Sequence, residues 1–434
     1  MIKKLVLVFI AFFALQSYAQ EGTASPYSFY GIGSLKFKGT VENRSMGGLS
    51  IYTDSIHVNL RNPAAYVSPN LKVWDEENRP VRFSVAATHS DTNLEANSGD
   101  AQVSSSTFDY LALSLPLGKF GFGFGLMPFT SVGYKLESTE NDIVQNRYTG
   151  SGGLNKAFLG IGYKVTPKLS AGVDFSYNFG NIQNSVVEFL YDEDDIVVQY
   201  QTRENNRSDL SGLSVNFGLT YKTMINDKLE LQTGLTYSPK STLSSINERS
   251  FSTIVINAIT GQEFLVNEIP ADLEGSGLEE TELTLPARLS FGAGIGAPRK
   301  WFVGAEYTYQ NTSEFSNPIV SIENANFVNA SNISVGGFFI PNYNSFSGYW
   351  KRVTYRAGMY FENTGLEINN ETINEFGISF GVGLPVGNVF SNANVGFELG
   401  RRGTTDANLI QENFFNVNIS LSLNDRWFQK RKYN

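Results

Sequence analysis

The chain of 434 residues has no cysteine, which excludes a disulfide framework, a lipidated cysteine and any thiolate metal site. Histidine occurs only at His57 and His89, so a metal centre made of histidines alone is excluded too. Charged residues make up only 17% of the chain, below the share usual in soluble proteins. The balance is acidic, with a formal charge of −9, and lysine and arginine gather only in the final QKRKYN, Gln429 to Asn434. A nucleic-acid partner, which needs a basic face, is therefore not expected. Long apolar runs are also missing: past the N-terminus none approaches the ~18 residues of a membrane-crossing helix.

The N-terminus carries an address. Lys3 and Lys4 precede an apolar run from Leu5 to Leu15, and Ser17-Tyr18-Ala19 supplies small residues at a cleavage site. This pattern predicts a secretory signal peptide, residues 1–19, cut after Ala19. Losing its two lysines takes the formal charge from −9 to −11.

The rest of the chain alternates. In FNVNISLSLN (415–424) every second residue is apolar and every residue between is small and polar. This period of two is the signature of a strand. It recurs in LSAGVDFSY (169–177), LSVNFGLTY (213–221), LELQTGLTY (229–237), LPARLSFGAGI (285–295), VGAEYTY (303–309), YRAGMYF (355–361), FGISFGVGL (376–384) and VGFEL (395–399). FGFGFGL (120–126) is the extreme case, with glycine at alternate positions. Several runs reach the ~9–11 residues that a tilted strand needs to cross a bilayer.

Connections alternate too. Tight turns at 116–119, 166–168, 224–228 and 297–300 are separated by long polar stretches at 90–103, 137–155, 181–209, 239–282 and 311–330. Transmembrane barrels have short periplasmic turns and long outer loops in this order. Fourteen strands are predicted, beginning near Val81, Thr107, Phe120, Lys156, Leu169, Leu213, Leu229, Thr284, Phe302, Ile333, Val353, Ile373, Asn394 and Phe415. The expectation is an all-β, 14-stranded antiparallel transmembrane β-barrel over residues 80–428, with Trp427 and Phe428 in an aromatic girdle and a basic tail at 429–434. A soluble sandwich or propeller is the alternative; the leader, the loop asymmetry and the polar inward faces argue against it.

Parity with the outward apolar residues turns Asp174, Glu230, Arg288, Glu306, Arg356 and Glu398 into the lumen. They read either as a salt-bridged interior that fixes register or as a substrate path, and the first reading is favoured because lumen charges are tolerated where lipid-facing ones are not. Residues 20–79 do not alternate and form an N-terminal hatch or plug segment, in the lumen or below the barrel. Gly47-Gly48 supplies permissive backbone there, and Asn62-Pro63 reads as a turn or helix start, asparagine capping and proline at the first position. In the third strand, GLMPFTSVGYKL, Pro128 cannot donate to a ladder and predicts a bulge or gap, unless it stands above the membrane.

The segment RSMGGLSIYTDSIHVNLRNPAA (44–65), the pair LPARLSFGAGI and VGAEYTY around Lys300-Trp301, NEFGISFGVGLPVG (374–387) and NDRWFQKRK (424–432) resemble the FadL-like outer-membrane transport barrels, in the form found in Bacteroidota. The resemblance implies a fourteen-stranded barrel with an N-terminal hatch, and a kinked third strand that opens sideways into lipid where Pro128 lies. It also reaches PorV-like barrels, which dock onto protein-secretion machinery.

No catalytic constellation is present. Neither histidine sits beside a nucleophile motif and there is no G-x-S-x-G, so no enzyme activity, cofactor or metal is expected. The run Asp192-Glu193-Asp194-Asp195 reads as a solvated loop. Two functions stay open. One is passive uptake of hydrophobic compounds such as long-chain fatty acids across a Gram-negative outer membrane, through hatch and lateral opening. The other is a non-transporting subunit, surrounded by outer-membrane lipid and other outer-membrane proteins, of a protein-assembly (BAM-type) or type IX secretion machine.

Overall fold

The computed structural model describes residues 22–54, 56–67, 81–140, 143–194, 196–257, 260–315, 324–386 and 391–425. The expected leader, Trp427 and Phe428, and the basic tail lie outside the described residues, as do residues 68–79 at the foot of the expected hatch segment. The chain folds as a closed antiparallel barrel of fourteen strands. They are β1 (Val81–Ala96), β2 (Gly99–Leu117), β3 (Phe120–Pro128, resuming as Thr130–Glu140), β4 (Ile143–Lys164), β5 (Leu169–Glu188), β6 (Gln201–Met224) and β7 (Glu230–Ser238, resuming as Ser241–Ile256). They continue as β8 (Glu280–Leu285, resuming as Arg288–Ala297), β9 (Trp301–Gln310), β10 (Ala330–Phe339), β11 (Thr354–Ile368), β12 (Glu371–Val386), β13 (Ser391–Arg402) and β14 (Gln411–Asp425). Closure comes from β1 on β14, in register from Val81 opposite Asp425 to Glu95 opposite Gln411.

The alternation gives the wall its two faces. In β4, Leu159, Ile161 and Tyr163 stand exposed on the outside, while Phe158 is buried within. The same outward band includes Phe175 and Tyr177 on β5, Phe217 and Leu219 on β6, Phe291 on β8, Phe361 on β11 and Phe380 on β12. Such a continuous apolar belt is costly in water and favourable against lipid tails. No described helix is long and apolar enough to cross a membrane.

One expectation is corrected. The polar stretches 90–103, 137–155 and 181–209 are largely paired strand rather than loop: β1 and β2 run on to Ala96 and from Gly99, β4 starts at Ile143, and β5 and β6 extend to Glu188 and from Gln201. Beyond the apolar belt both faces of a strand meet polar surroundings. Alternation then disappears from the sequence although the backbone ladder continues. At the opposite end the described turns are tight, except between β10 and β11, where residues 340–353 form a longer connection with Phe346 and Trp350 fully or mostly exposed.

The N-terminal segment lies inside the barrel. It begins near the long-hairpin end, where Ser25 Oγ donates to Glu412 and Tyr27 Oη donates to the Ile410 carbonyl at the start of β14. It passes through a short helix, Val41–Arg44, started by a capping box between Thr40 and Asn43. It ends in a 3-10 helix, Pro63–Val67, against the short-turn ends of β3 to β6. Most residues from 40 to 67 are buried.

Candidate functional site: the filled lumen and the opening in its wall

The inward faces of the strands are cut away to receive this segment. A Cβ on Gly218 would stand 2.1 Å from Asn62 Oδ1, one on Gly172 would stand 2.5 Å from the Ala64 nitrogen, and one on Gly358 would stand 2.2 Å from the Met46 carbonyl carbon. Gly121 and Gly123 make the same room for Tyr66. Two of the three alternate glycines of FGFGFGL are thus a contact surface for the segment, while Gly125 lies against Leu111 and Phe158 of the wall. No real Cβ tolerates such distances, so a larger side chain would displace the segment.

Polar side chains then tether it. Arg44 Nε pairs with Glu398 at 2.5 Å, and Arg61 Nη2 pairs with Glu306 at 2.9 Å. Glu306 also accepts from the Ser50 nitrogen at 2.8 Å. Asn62 Nδ2 donates to the Leu219 carbonyl at 2.9 Å, and Asn216 Nδ2 donates to the Arg61 carbonyl at 3.1 Å. The polar residues of FNVNISLSLN, read from sequence as a lumen face, are buried and bonded: Ser420 and Ser422 donate to Glu42 at 3.2 and 3.3 Å, and Asn424 donates to the Ile56 carbonyl at 3.1 Å.

At the short-turn end His57 Nδ1 lies 2.7 Å from Asp54 Oδ2, and its Nε2 lies 3.6 Å from Glu42. Burial opposes the charge on His57, but the Asp54 and Glu42 carboxylates outweigh it and raise the imidazole above its ordinary value. Burial likewise opposes charge on Asp54, and the His57 cation and hydrogen bonds hold its carboxyl well below the usual range.

The residues singled out in the sequence fall as follows. Gly47 and Gly48 have φ of +69° and +92°, the left-handed region that glycine enters freely. Asn62 Oδ1 accepts from the Ala64 nitrogen at 3.1 Å, and Pro63 opens the 3-10 helix. Glu306 and Glu398 hold the inner segment; Glu230 instead pairs with Lys222 at 2.9 Å within the wall, and Arg356 donates to Asn394 at 3.2 Å. Asp174 is buried beside Asn216 at 3.3 Å, and Arg288 is half-buried on the lumen side. Glu42, Arg44 and Arg61 were missed, since nothing local marks a partner more than two hundred residues away. Lys156 was missed although parity with Leu159 and Ile161 would have turned it inward.

Pro128 marks a break in the wall. β2 pairs with β3 only from Leu111 opposite Leu126 to Leu117 opposite Phe120. The strand itself is interrupted at Phe129, and Thr130 to Tyr134 turn inward and are buried. There Ser131 and Thr130 pair with Ser34–Leu35 of the inner segment. The resumed β3 stays on β4 but leaves β2, so among the described residues no strand covers that edge of β2 from Gly99 to Tyr110. Inside the opening lies a cavity of about 440 Å³, bounded by residues of the inner segment, Pro128, Phe129 and Asp109, and reaching Glu375 and Arg402 at the long-hairpin end. Among the described residues no group of histidine, aspartate and glutamate has metal-site geometry.

Solved structures share this architecture. The Pseudomonas putida toluene transporter TodX is 16% identical over 91% of this chain and 99% of that one, with a TM-score of 0.58. The Ralstonia pickettii toluene transporter TbuX is 14% identical over 89% and 98%, with a TM-score of 0.59. A Pseudomonas aeruginosa FadL homologue is 14% identical over 92% and 100%, with a TM-score of 0.55. At these identities the likeness establishes the fold of FadL-type outer-membrane barrels. No curated protein matches the chain in sequence. The family model described as BamG matches residues 1–434, so the chain belongs to the BamG family.

Proposed function

We propose that this barrel resides in the outer membrane, after removal of its leader, as a non-transporting subunit of a protein-assembly machine of the Bam type. The observation that carries the reading is how firmly the inner segment is seated in the lumen. The inner segment sits on a ring of glycines and is held by buried ion pairs to Glu306 and Glu398, so moving it means unpairing charges in a low-dielectric interior. Membership of the BamG family supports the same reading. The connection 340–353, with Phe346 103% and Trp350 68% exposed at the short-turn end, offers aromatic contact area of the kind enriched at interfaces.

The test is extraction of the natively expressed, tagged protein in mild detergent, with mass spectrometry of what stays bound and a depletion strain run in parallel. A stoichiometric complex with an outer-membrane assembly barrel, together with falling levels of other outer-membrane barrels on depletion, is the expected result. A solitary protein with normal levels of those barrels on depletion would overturn it.

The opening beside Pro128 favours a second reading, in which an apolar molecule passes sideways between cavity and bilayer. Pro128→Thr restores the backbone donor that a ladder continued on β2 would use. On this reading it cuts uptake of a hydrophobic fluorescent probe several-fold while the barrel still assembles, and unchanged uptake removes the lateral route.

A further inference from the structure

At the long-hairpin end β7 carries more than its place in the barrel. From Ser250 to Ile256 it also pairs with a further strand, Glu263–Pro270, in register from Ser250 opposite Pro270 to Ile256 opposite Glu263. On its other side the same stretch of β7 pairs with β6, as Ile254 does with Gln201. Among the described residues Glu263–Pro270 has no second neighbouring strand, so it ends the sheet. Alternate amides and carbonyls along that edge point away from β7. Neither face of the strand is covered by described residues: Phe264, Leu265, Val266 and Ile269 are 49%, 55%, 55% and 61% exposed.

Lipid does not account for these side chains. On β6 the apolar belt ends at Leu213, whereas the further strand begins level with Asn205, through Ser250, about 26 Å higher along β6. Between the two, Arg207 pairs with Asp209 in exposed surroundings. Edges of this kind are usually guarded by lysine, by outward charge or by a cover. This strand has no lysine, and its two carboxylates turn back on its own sheet: Glu263 pairs with Arg203 at 3.0 Å, and Glu268 accepts from Ser250 Oγ at 2.7 Å. A bulge at Val266 and Pro270 at the end shorten the edge without closing it. A second copy in the same membrane cannot complete it. Rotation about the membrane normal would make two strands tilted by ~40° cross at about 80°, which no ladder follows. The surroundings of Pro270 are acidic: Asp272, Glu274, Glu279, Glu280 and Glu282 are exposed, and none is ion-paired with a described residue.

We propose that Glu263–Pro270 is a docking edge for an extended segment of a different protein, which adds to it as one more strand. That segment sets alternate apolar side chains against Phe264, Leu265, Val266 and Ile269 and carries basic residues at the end beside Pro270. Backbone bonds supply the affinity of such an addition, and the apolar and charged contacts its specificity. The edge lies at the opposite end of the barrel from the connection 340–353 and does not require the barrel to belong to an assembly machine, so the two readings can fail separately.

The experiment starts in intact cells, with the natively expressed full chain and the photo-cross-linking residue p-benzoylphenylalanine replacing Val266. One protein should be captured, and its cross-linked peptide should alternate apolar residues and carry lysine or arginine at one end. Leu265→Lys/Ile269→Lys, at two exposed positions, should cut capture at least tenfold while β6 and β7 keep their protection from hydrogen exchange. A synthetic copy of the captured segment, added to the purified protein, should slow alternate amides between 264 and 269 at least tenfold. N-methylation along one edge of that peptide should abolish the effect, and along the other should not. Capture of a lipid, of a second copy or of nothing would each overturn the proposal, as would a captured segment whose synthetic copy slows none of those amides. Should the double variant fail to assemble, the two N-methylated peptides decide: equal binding of both would show that side chains alone read the patch, and the added strand would be wrong.

Discussion

Glu398→Ala tests whether buried pairing holds the inner segment in place. Glu398 is 3% exposed and accepts from Arg44 at 2.5 Å, from Tyr360 Oη at 2.9 Å and from Asn416 Nδ2 at 3.0 Å. Removing one partner of a buried pair costs about 3–5 kcal/mol, because the other charge is left without compensation. The Arg44 side chain is 23% exposed towards the cavity, so the lower end, about 3 kcal/mol, applies. That cost falls on the docked state of the segment and leaves the barrel ladder intact. Local opening should then rise by about 10²-fold. Hydrogen exchange reads it directly, since the Arg44, Ser45 and Gly48 amides bond within the Thr40 to Gly48 turn. Peptides spanning residues 40–48 should exchange about 10²-fold faster in the variant, while β13 and β14 keep their protection. Unchanged exchange across that turn would refute the reasoning, and faster exchange in β13 and β14 would show that the barrel had been damaged instead.

Three further outcomes follow from the same geometry. Gly218→Leu drives a side chain into Asn62 and Pro63, so residues 61–65 should become open to protease while the closed barrel still forms; a protected segment would mean that the ring of glycines is not needed. His57 has a raised folded value, so its stabilisation is complete below the unfolded 6.5 and is lost as pH rises through the folded value. Asp54 is depressed, so its share is present above 3.8 and is lost only as pH falls through its folded value. Protection of residues 50–60 should therefore weaken on the alkaline side after correction for intrinsic exchange, and His57→Gln should flatten that dependence. Deleting 343–350 should release partners from the native complex without unfolding the barrel, and an unchanged complex would clear that connection of a docking role.

Strand number and closure were legible because lipid imposes a rule on every second residue: Leu159, Ile161 and Tyr163 must be apolar wherever they sit in the fold. Asn62-Pro63 and Gly47-Gly48 were legible because capping and positive φ are local demands. Strand length beyond the belt was not, since a paired strand with both faces in polar surroundings leaves no periodic mark.

By itself, then, the sequence determined a barrel of fourteen strands, its two faces and the charges that turn inward. Only the tertiary structure decided what those inward faces meet. Glu398 finds Arg44, Glu306 finds Arg61, and Gly218 finds Asn62 across separations that no period encodes. It also decided where the wall parts, because Pro128 can interrupt a ladder anywhere, but only the inward pairing of Ser131 with Ser34 carries the resumed strand away from β2 and leaves that edge uncovered.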